Sequence, residues 1–538
     1  MNDSITDSVD IVVVGAGVTG LYAVHKLRGL GYRVRGFERG DDVGGVWYWN
    51  RYPGARCDVE SVDYSYSFDE ELQQEWDWSE KYATQPEIMR YLRHVADRFD
   101  LRRSYTFATS VTSAELDERT LRWTVRTDGC EVISARFCVY AVGCLSSTHV
   151  PDIPGIAEFG GATYHTGAWP HEGADFTGLR VGVIGTGSSG IQAIPLIAEQ
   201  AAHLTVFQRS ANYSIPAGNA PLDEETRVRQ KAGYAERRRL SRLSGGGSPH
   251  AAHPSRTFEV SEDERRAAFE KRWELGGVLY SKTFPDQLTD RAANEAARAF
   301  WEEKVRALVD DEDSAGLLVP TDHPIGTKRI VTDSHYYETF NRDDVRLVSL
   351  RENAIERVDG SGVVLADGTR VELDAIVFAT GFDAMTGAID RIDVRGRGGR
   401  RLKDVWSAGP RTYLGLGVDG FPNLFNLTSA GSPSVMANVV LCAEQHGDWL
   451  GDCLRHLDAY GYRGIEASAE AVEEWVAQCR DRAAATLFPA ANSWYLGANI
   501  PGKPRVFMPF IGGFGVYGDI IADVADSGYK GFDLITTV

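Results

Sequence analysis

Two glycine-rich hexapeptides open the chemical reading of this chain. Gly15-Ala16-Gly17-Val18-Thr19-Gly20 and Gly185-Thr186-Gly187-Ser188-Ser189-Gly190 both have the G-x-G-x-x-G spacing. That spacing lets a pyrophosphate approach backbone N–H groups at the start of a helix, where the macrodipole favours negative charge. A single such motif also serves ordinary helix–strand packing, so the residue that reads the ribose matters. A carboxylate about 20 residues on accepts hydrogen bonds from a ribose 2′-hydroxyl. Glu38 stands there after the first hexapeptide, and the same 23-residue interval after the second ends at Gln208, followed by Arg209 and Ser210. A carboxylate repels a 2′-phosphate whereas an arginine pairs with one. The first site therefore suits FAD and the second NADPH.

Two further segments are chemically dense. Gly44-Gly45-Val46-Trp47-Tyr48-Trp49-Asn50-Arg51-Tyr52-Pro53-Gly54-Ala55-Arg56-Cys57-Asp58 packs glycines, aromatics and charges together. Core packing explains its tryptophans but not Arg56 and Asp58, which suggest a polar site roofed by aromatic rings. Phe159-Gly160-Gly161-Ala162-Thr163-Tyr164-His165-Thr166-Gly167-Ala168-Trp169-Pro170 lies just before the second hexapeptide. From physics alone it reads as a linker with a buried histidine. Arg329, in Gly326-Thr327-Lys328-Arg329, is by itself an arginine in a loop.

The elements that position these residues follow from the apolar pattern. Asp10 to Val14 is a β-branched run that passes straight into the first hexapeptide and a helical pattern, and Arg33 to Phe37 is the next strand. Arg180 to Ile184 and Leu204 to Phe207 repeat the arrangement around the second. Residues 219 to 319 form a charge-rich, mostly helix-patterned stretch interrupted by Ser244-Gly245-Gly246-Gly247-Ser248-Pro249. Strands resume at Gly362 to Leu365 and at Ala375 to Phe378, which runs into Ala379-Thr380-Gly381; Phe137 to Tyr140 likewise ends in Ala141-Val142-Gly143. The fold class is α/β, with two Rossmann-like dinucleotide-binding domains and a helical insertion. We expect an FAD domain from residues 1–150 and 380–538, an NADP domain from 151–218 and 320–379, and the insertion at 219–319.

Bulk properties agree. At 538 residues the chain has room for two or three domains. With 57 basic and 76 acidic residues the net charge is −19, which argues against nucleic acid as a partner. Seven cysteines show no C-x-x-C pair and no metal-type spacing, so no metal is expected. That also disfavours a pyridine nucleotide–disulfide reductase. Neither a signal peptide nor an 18-residue apolar run is visible, so no membrane partner is expected; the cysteines read as reduced thiols of a cytoplasmic protein, and the assembly stays open between a monomer and a small homo-oligomer.

The residues 159–170 and 44–58 resemble the two signatures of type I Baeyer–Villiger monooxygenases, F-x-G-x-x-x-H-x-x-x-W-P through Phe159, Gly161, His165 and Trp169, and G-G-x-W-x-x-x-x-Y-P-G-x-x-x-D ending at Asp58. The likeness covers nearly the whole chain. It is nearest the phenylacetone and steroid branch, through Tyr164 to Gly167, Arg411 to Gly415 and Gly502 to Met508. The resemblance implies an enzyme that uses NADPH and O2 to turn ketones into esters or lactones through a flavin C4a-peroxide. It places the catalytic arginine at Arg329, with Asp58 as its partner carboxylate. It assigns cofactor contacts to Gly45, Val46, Trp47, Arg56, Tyr64, Val111, Gln192, Lys328 and Trp494 beside the residues of the two hexapeptides. It puts the substrate loop at Ser434, Val435 and Met436, and it implies that His165 and Trp169 couple domain movement. Ser429-Ala430 and Val435-Met436 depart from that branch's Gly-Pro and Ala-Leu. The rival class is an N- or S-oxygenating flavin monooxygenase, whose related motif lacks the Trp169-Pro170 ending. A non-catalytic redox-sensing nucleotide binder is a third reading.

Overall fold

The computed structural model describes residues 5–536. Each hexapeptide lies at the end of the central strand of its own sheet. Asp7–Val14 is buried from Ile11 onward because parallel strands flank it on both sides, Val34–Phe37 on one and Val132–Tyr140 on the other. Tyr105–Thr106 extends the sheet beyond Val34–Phe37. In the other direction the chain turns antiparallel through Arg122–Thr127 and Val111–Asp117. Two strands from far along the sequence complete this eight-stranded sheet: Asp393–Arg395 pairs with Val111–Asp117, and Leu424–Asn426 with Val132–Tyr140.

The second sheet has five parallel strands in the order Val345–Ser349, His203–Gln208, Arg180–Ile184, Ala375–Phe378, Ala162–His165. Its last member corrects the linker reading of residues 159–170. Ala162 and Thr163 are exposed and Tyr164 is half-buried, so this edge strand has no apolar run to betray it. A small antiparallel sheet, Ile355–Asp359, Gly362–Leu365 and Arg370–Glu372, stands beside it.

The two hexapeptides meet their neighbouring strands in the same way. A Cβ on Gly15 would stand 2.5 Å from the carbonyl oxygen of Ala141, and one on Gly185 2.5 Å from that of Ala379. Both residues have positive φ, 104° and 109°. Only glycine satisfies the turn and the contact together. The strand ends Ala141-Val142-Gly143 and Ala379-Thr380-Gly381 thus play equivalent parts in the two halves.

The described residues between 217 and 330 contain helices and no strand, the main ones being Glu224–Ala232, Tyr234–Leu243, Glu262–Leu275, Arg291–Arg306 and Glu312–Leu318. Ser261 and Glu264 form a reciprocal capping box at the start of the third, a local signal that fixes where it begins. The glycine-rich interruption docks on the C-terminal part of the chain: Gly245 accepts a hydrogen bond from the Phe514 N–H and Gly246 from that of Asn438, both 3.0 Å. The long helix Val439–Ala459 packs on Val18–Gly29, where Tyr22 and Lys26 both donate to Asp448 at 2.7 Å. Among the described residues no helix is long and apolar enough to cross a membrane.

Candidate active site

A cavity of about 640 Å³ extends from the first hexapeptide to the loop at 434–436. That is within the range of about 300–1,000 Å³ that takes cofactor-sized ligands. At one end it is lined by Gly15, Gly17 and Glu38. No side chain caps the helix Val18–Gly29, so its first-turn N–H groups remain for a ligand. A Cβ on Gly45, which has φ +56°, would stand 2.8 Å from the Gly17 Cα, so the second glycine-rich segment closes directly over the first. Gly20 lies outside the cavity wall and packs on the Gly15 carbonyl. The Glu38 carboxylate accepts from the N–H groups of Ala16, 2.8 Å, and Gly40, 2.7 Å. Burial pushes its pKa up while these two bonds hold it down.

The segment 44–58 forms the flank. The Val46–Trp49 turn puts Val46, Trp47 and Trp49 on the wall, and the Trp47 indole N–H donates to the Tyr64 hydroxyl at 2.9 Å. Val111, the first residue of its strand, and Arg56 also line it; Arg56 is paired with Glu80 at 2.5 Å. The wall thus sets the rings of Trp47 and Trp49 beside the charged Arg56 and Asp58.

Arg329 and Asp58 come together although 271 positions separate them. The guanidinium donates from Nε to Asp58 Oδ2 at 2.5 Å and from Nη2 to Oδ1 at 2.8 Å, a two-pronged pairing that fixes its plane. Its third arm, Nη1, donates to the Val435 carbonyl at 2.9 Å. Burial works against the charge, but the Asp58 carboxylate outweighs it and raises the pKa, so Arg329 is a permanent cation. The side chain keeps 27% of its surface, and that surface opens into the cavity rather than to bulk water. Tyr495, which the motifs did not single out, shares the wall of the neighbouring cavity with Arg329.

The loop wall follows. Ser434 has an unusual positive φ of 42°, and its hydroxyl donates to the Thr428 carbonyl at 3.0 Å while lying 3.0 Å from the Cys144 sulfur. Val435 packs with Trp494 beside Cys144 and Leu145. Ser434, Val435 and Trp494 line the main cavity, whereas Met436 lines a smaller one of about 110 Å³ that shares Asp58, Arg329 and Val435 with the first.

The second hexapeptide touches the main cavity through Ser188, with Gln192 one turn on. Gln192 accepts from the Tyr52 hydroxyl at 2.9 Å and donates to the Arg56 carbonyl at 3.2 Å, tying this helix to the 44–58 segment. Thr186 donates to the Ser210 carbonyl at 2.9 Å, Ser189 meets Thr166 at 3.0 Å, and Gly187 caps Ser188–Ala198 without a side-chain acceptor. Gly190 packs on the Gly185 carbonyl as Gly20 does on Gly15. Beyond lies a cationic corner that sequence reasoning identified only in part. Arg209 is exposed and Lys328 lies 3.9 Å from Asp322. Arg351, at the end of the neighbouring strand, bridges Asp322 and the Ser210 hydroxyl, the latter at 3.0 Å. Burial, then Arg209 and Arg351, push the Lys328 ammonium down while Asp322 opposes them. Lys328 and Arg351 flank the Asp322 carboxylate, and Arg209 stands close enough to act on Lys328. Such a corner suits a phosphate dianion.

His165 and Trp169 line neither cavity. The buried imidazole accepts from the Gly167 N–H at Nδ1, 2.9 Å, so Nε2 carries the proton and donates to the His149 carbonyl at 3.2 Å. Thr380 donates to the same carbonyl at 2.6 Å. Burial pushes the His165 pKa down, consistent with that neutral form. The Trp169 N–H donates to the Trp49 carbonyl at 3.2 Å, joining the two signature segments. Phe159 packs on the small antiparallel sheet's core, and a Cβ on Gly161 would strike the Asp374 carbonyl.

Known proteins share this arrangement. The flavin-binding monooxygenase-like family model matches residues 8–217. A Baeyer–Villiger monooxygenase of Pseudooceanicola batsensis is 44% identical over 97% of this chain and 95% of its own. An acetone monooxygenase (methyl acetate-forming) of Gordonia sp. is 42% identical over 98% and 99%. The solved structure of an oxidized steroid monooxygenase bound to NADP is 66% identical, with a TM-score of 0.95 over 98% of this chain and 100% of that one. Identity of this order along the whole length, with the paired hexapeptides and the Asp58–Arg329 contact in place, means that the chain belongs to the Baeyer–Villiger monooxygenases, within the flavin-binding monooxygenases.

Proposed function

We propose that this protein holds FAD on the first hexapeptide and NADPH on the second, and uses dioxygen to convert a cyclic, aryl or steroid-like ketone into an ester or lactone. The observation that carries this reading is the Asp58–Arg329 pair on the wall of the cavity that both hexapeptides reach. When bound, FAD would take two electrons from NADPH and use them to activate dioxygen, one atom of which enters the product while the other leaves as water.

The chain's own residues do the rest. Addition of an oxygen nucleophile to a ketone leaves negative charge on the former carbonyl oxygen, and a fixed cation stabilises it without reorganisation. Arg329 is that cation, aimed by Asp58 and the Val435 carbonyl. Trp47, Trp49 and Trp494 wall the cavity and exclude water. Arg209, Ser210, Lys328 and Arg351 take the 2′-phosphate of NADPH. His165 and Trp169 position the two domains relative to each other. This rests on a division into residues 1–150 with 380–538, 151–218 with 320–379, and the insertion 219–319, supported by the strands that each stretch contributes to the two sheets. Seven free thiols, five of them buried, fit a cytoplasmic setting, as a monomer or small homo-oligomer.

The test is Arg329→Ala. The purified variant is expected to stay yellow with bound FAD and to lose ester formation by at least about 100-fold, the scale of removing one preorganised charge. Wild-type turnover in that variant would end the assignment. A panel of aryl, cyclic and steroidal ketones with NADPH, read by mass spectrometry, tests the reaction itself; turnover of amines and sulfides with failure of every ketone would favour N- or S-oxygenation.

A further inference from the structure

The smaller cavity beside Arg329 has a charge that no acidic group among the described residues answers. Its wall contains three carboxylates, and each has a partner. Asp58 is held by Arg329; Asp63 is paired with Arg237 at 2.7 Å; Glu60 is paired with Arg237 at 2.6 Å and lies 3.2 Å from the His250 imidazole. Lys81 stands near Glu60 as well, donating its own hydrogen bond to the Leu275 carbonyl at 2.7 Å. The remaining charged residue on the wall is Lys282, which has no acidic partner among the described residues.

Lys282 is held where it is by its neighbours. It ends the tight turn Val278–Lys282, in which Tyr280 is fully buried and donates to the Ala297 carbonyl at 2.8 Å, while Ser281 and Thr283 on either side are also buried. Lys282 alone of this group is exposed. Its ammonium lies beside Gly246, where a Cβ would come within 3.1 Å of Nζ, and the Gly246 carbonyl accepts from the Asn438 N–H at the end of the 434–436 loop. Lys282 thereby takes its place on the wall of the smaller cavity. Desolvation, with Arg329 adding to it, pushes the ammonium below its ordinary pKa, as expected for a cation facing enclosed space.

We propose that this lysine selects ketones that carry a carboxylate a few bonds from the carbonyl, with the carbonyl at Arg329 and the carboxylate at Lys282. The inference rests on the ketone reading given above and sharpens it to a substrate class, the keto acids. The cavity's volume of about 110 Å³ accommodates a carboxylate on a short methylene chain, and apolar side chains, Leu279, Leu288, Met436 and Phe488, supply the wall for that chain. An ion pair formed in enclosed space is worth more than one at an open surface, so the discrimination is measurable. No bond is made or broken at Lys282; it acts by position alone.

The experiment compares the holoenzyme's kcat/KM for 7-oxooctanoate with that for its methyl ester. The readout is the ratio within each variant, so that a general loss of activity cancels. Wild type is expected to prefer the acid by about tenfold, Lys282→Gln to bring the ratio near one, Lys282→Arg to restore it, and Lys282→Glu to invert it. Equilibrium dialysis of the keto acid against the oxidised, NADP-loaded protein provides a second readout that does not depend on turnover, with the same order expected. A wild-type ratio of one or less, or a ratio that Lys282→Gln leaves unaltered, overturns the inference while leaving the ketone reading standing. Failure of acid and ester alike, together with the neutral ketone panel, overturns both.

Discussion

At the scale of single residues, the proposed 2′-phosphate site is the cationic corner around Asp322. Arg351 reaches both Asp322 and the Ser210 hydroxyl from a strand neighbouring the one that presents Arg209. Removing it should weaken recognition of the 2′-phosphate and leave the shared part of the nucleotide untouched. Arg351→Ala is expected to lower the ratio of NADPH to NADH kcat/KM by about tenfold or more, since a hydrogen bond to a charged group contributes about 1.5–3 kcal/mol. Titration of NADP+ and NAD+ into the oxidised enzyme checks it, and an unchanged ratio would remove Arg351 from the site. Arg209 could be found from its offset after a glycine motif, because one βαβ unit sets that interval. Arg351 could not, because strand order in the second sheet decides which loop ends beside it. The same holds for Arg329, whose partner lies 271 positions away. Only resemblance to known sequences pointed to that pair beforehand; spacing along the chain carries no trace of it.

Among the elements, the central parallel strands beside the hexapeptides were legible because burial on both faces demands a continuous apolar run. Asp7–Val14 and Arg180–Ile184 both have one. The antiparallel strand Arg122–Thr127 alternates half-buried and buried positions and Val111–Asp117 follows no strict alternation, both weaker signals, and the edge strand Ala162–His165 has almost none. The helix Val439–Ala459 illustrates how an element far along the chain is tied to the cofactor cavity. Its His446 is fully buried, accepting from the Thr428 N–H at Nδ1 and meeting the Tyr517 hydroxyl at Nε2, both 2.9 Å. Thr428 lines the main cavity. Burial pushes the His446 pKa from its ordinary 6.5 down to about 3. The unfolded chain therefore binds a proton between these values that the folded chain refuses. This contribution to stability is present in full above pH 6.5 and is lost as pH falls toward 3. Thermal midpoints measured from pH 7 to 4.5 should drop less steeply in His446→Gln than in wild type, whatever the offset between them at pH 7. Parallel curves would refute the link.

For the molecule as a whole, the two halves are built on one plan and joined by a few named contacts. Gln192 with Tyr52, Trp169 with Trp49, and His165 with His149 are such contacts, and each involves a residue of a signature segment. Compactness at this scale also governs the thiols. Cys57, Cys138, Cys442, Cys453 and Cys479 are buried, Cys144 lines the cofactor cavity, and Cys130 is exposed. Native enzyme loaded with FAD and NADP should release one equivalent of chromophore rapidly with a thiol reagent, and Cys130→Ser should abolish that phase. A rapid phase of several equivalents would mean that the interior opens far more than this packing allows.

The hydrogen bond from Arg329 to the Val435 carbonyl has an evolutionary consequence. On the proposed assignment, in which the 434–436 loop faces the substrate and Arg329 the reacting carbonyl, that loop also props Arg329 through its peptide backbone, so substitutions at 434–436 become coupled traits. A library that broadens acceptance there will tend to lose velocity in the same clones. Side-chain exchanges that preserve the Val435 peptide plane, or changes made across the smaller cavity at Lys282, offer a route by which new specificities can arise without that penalty.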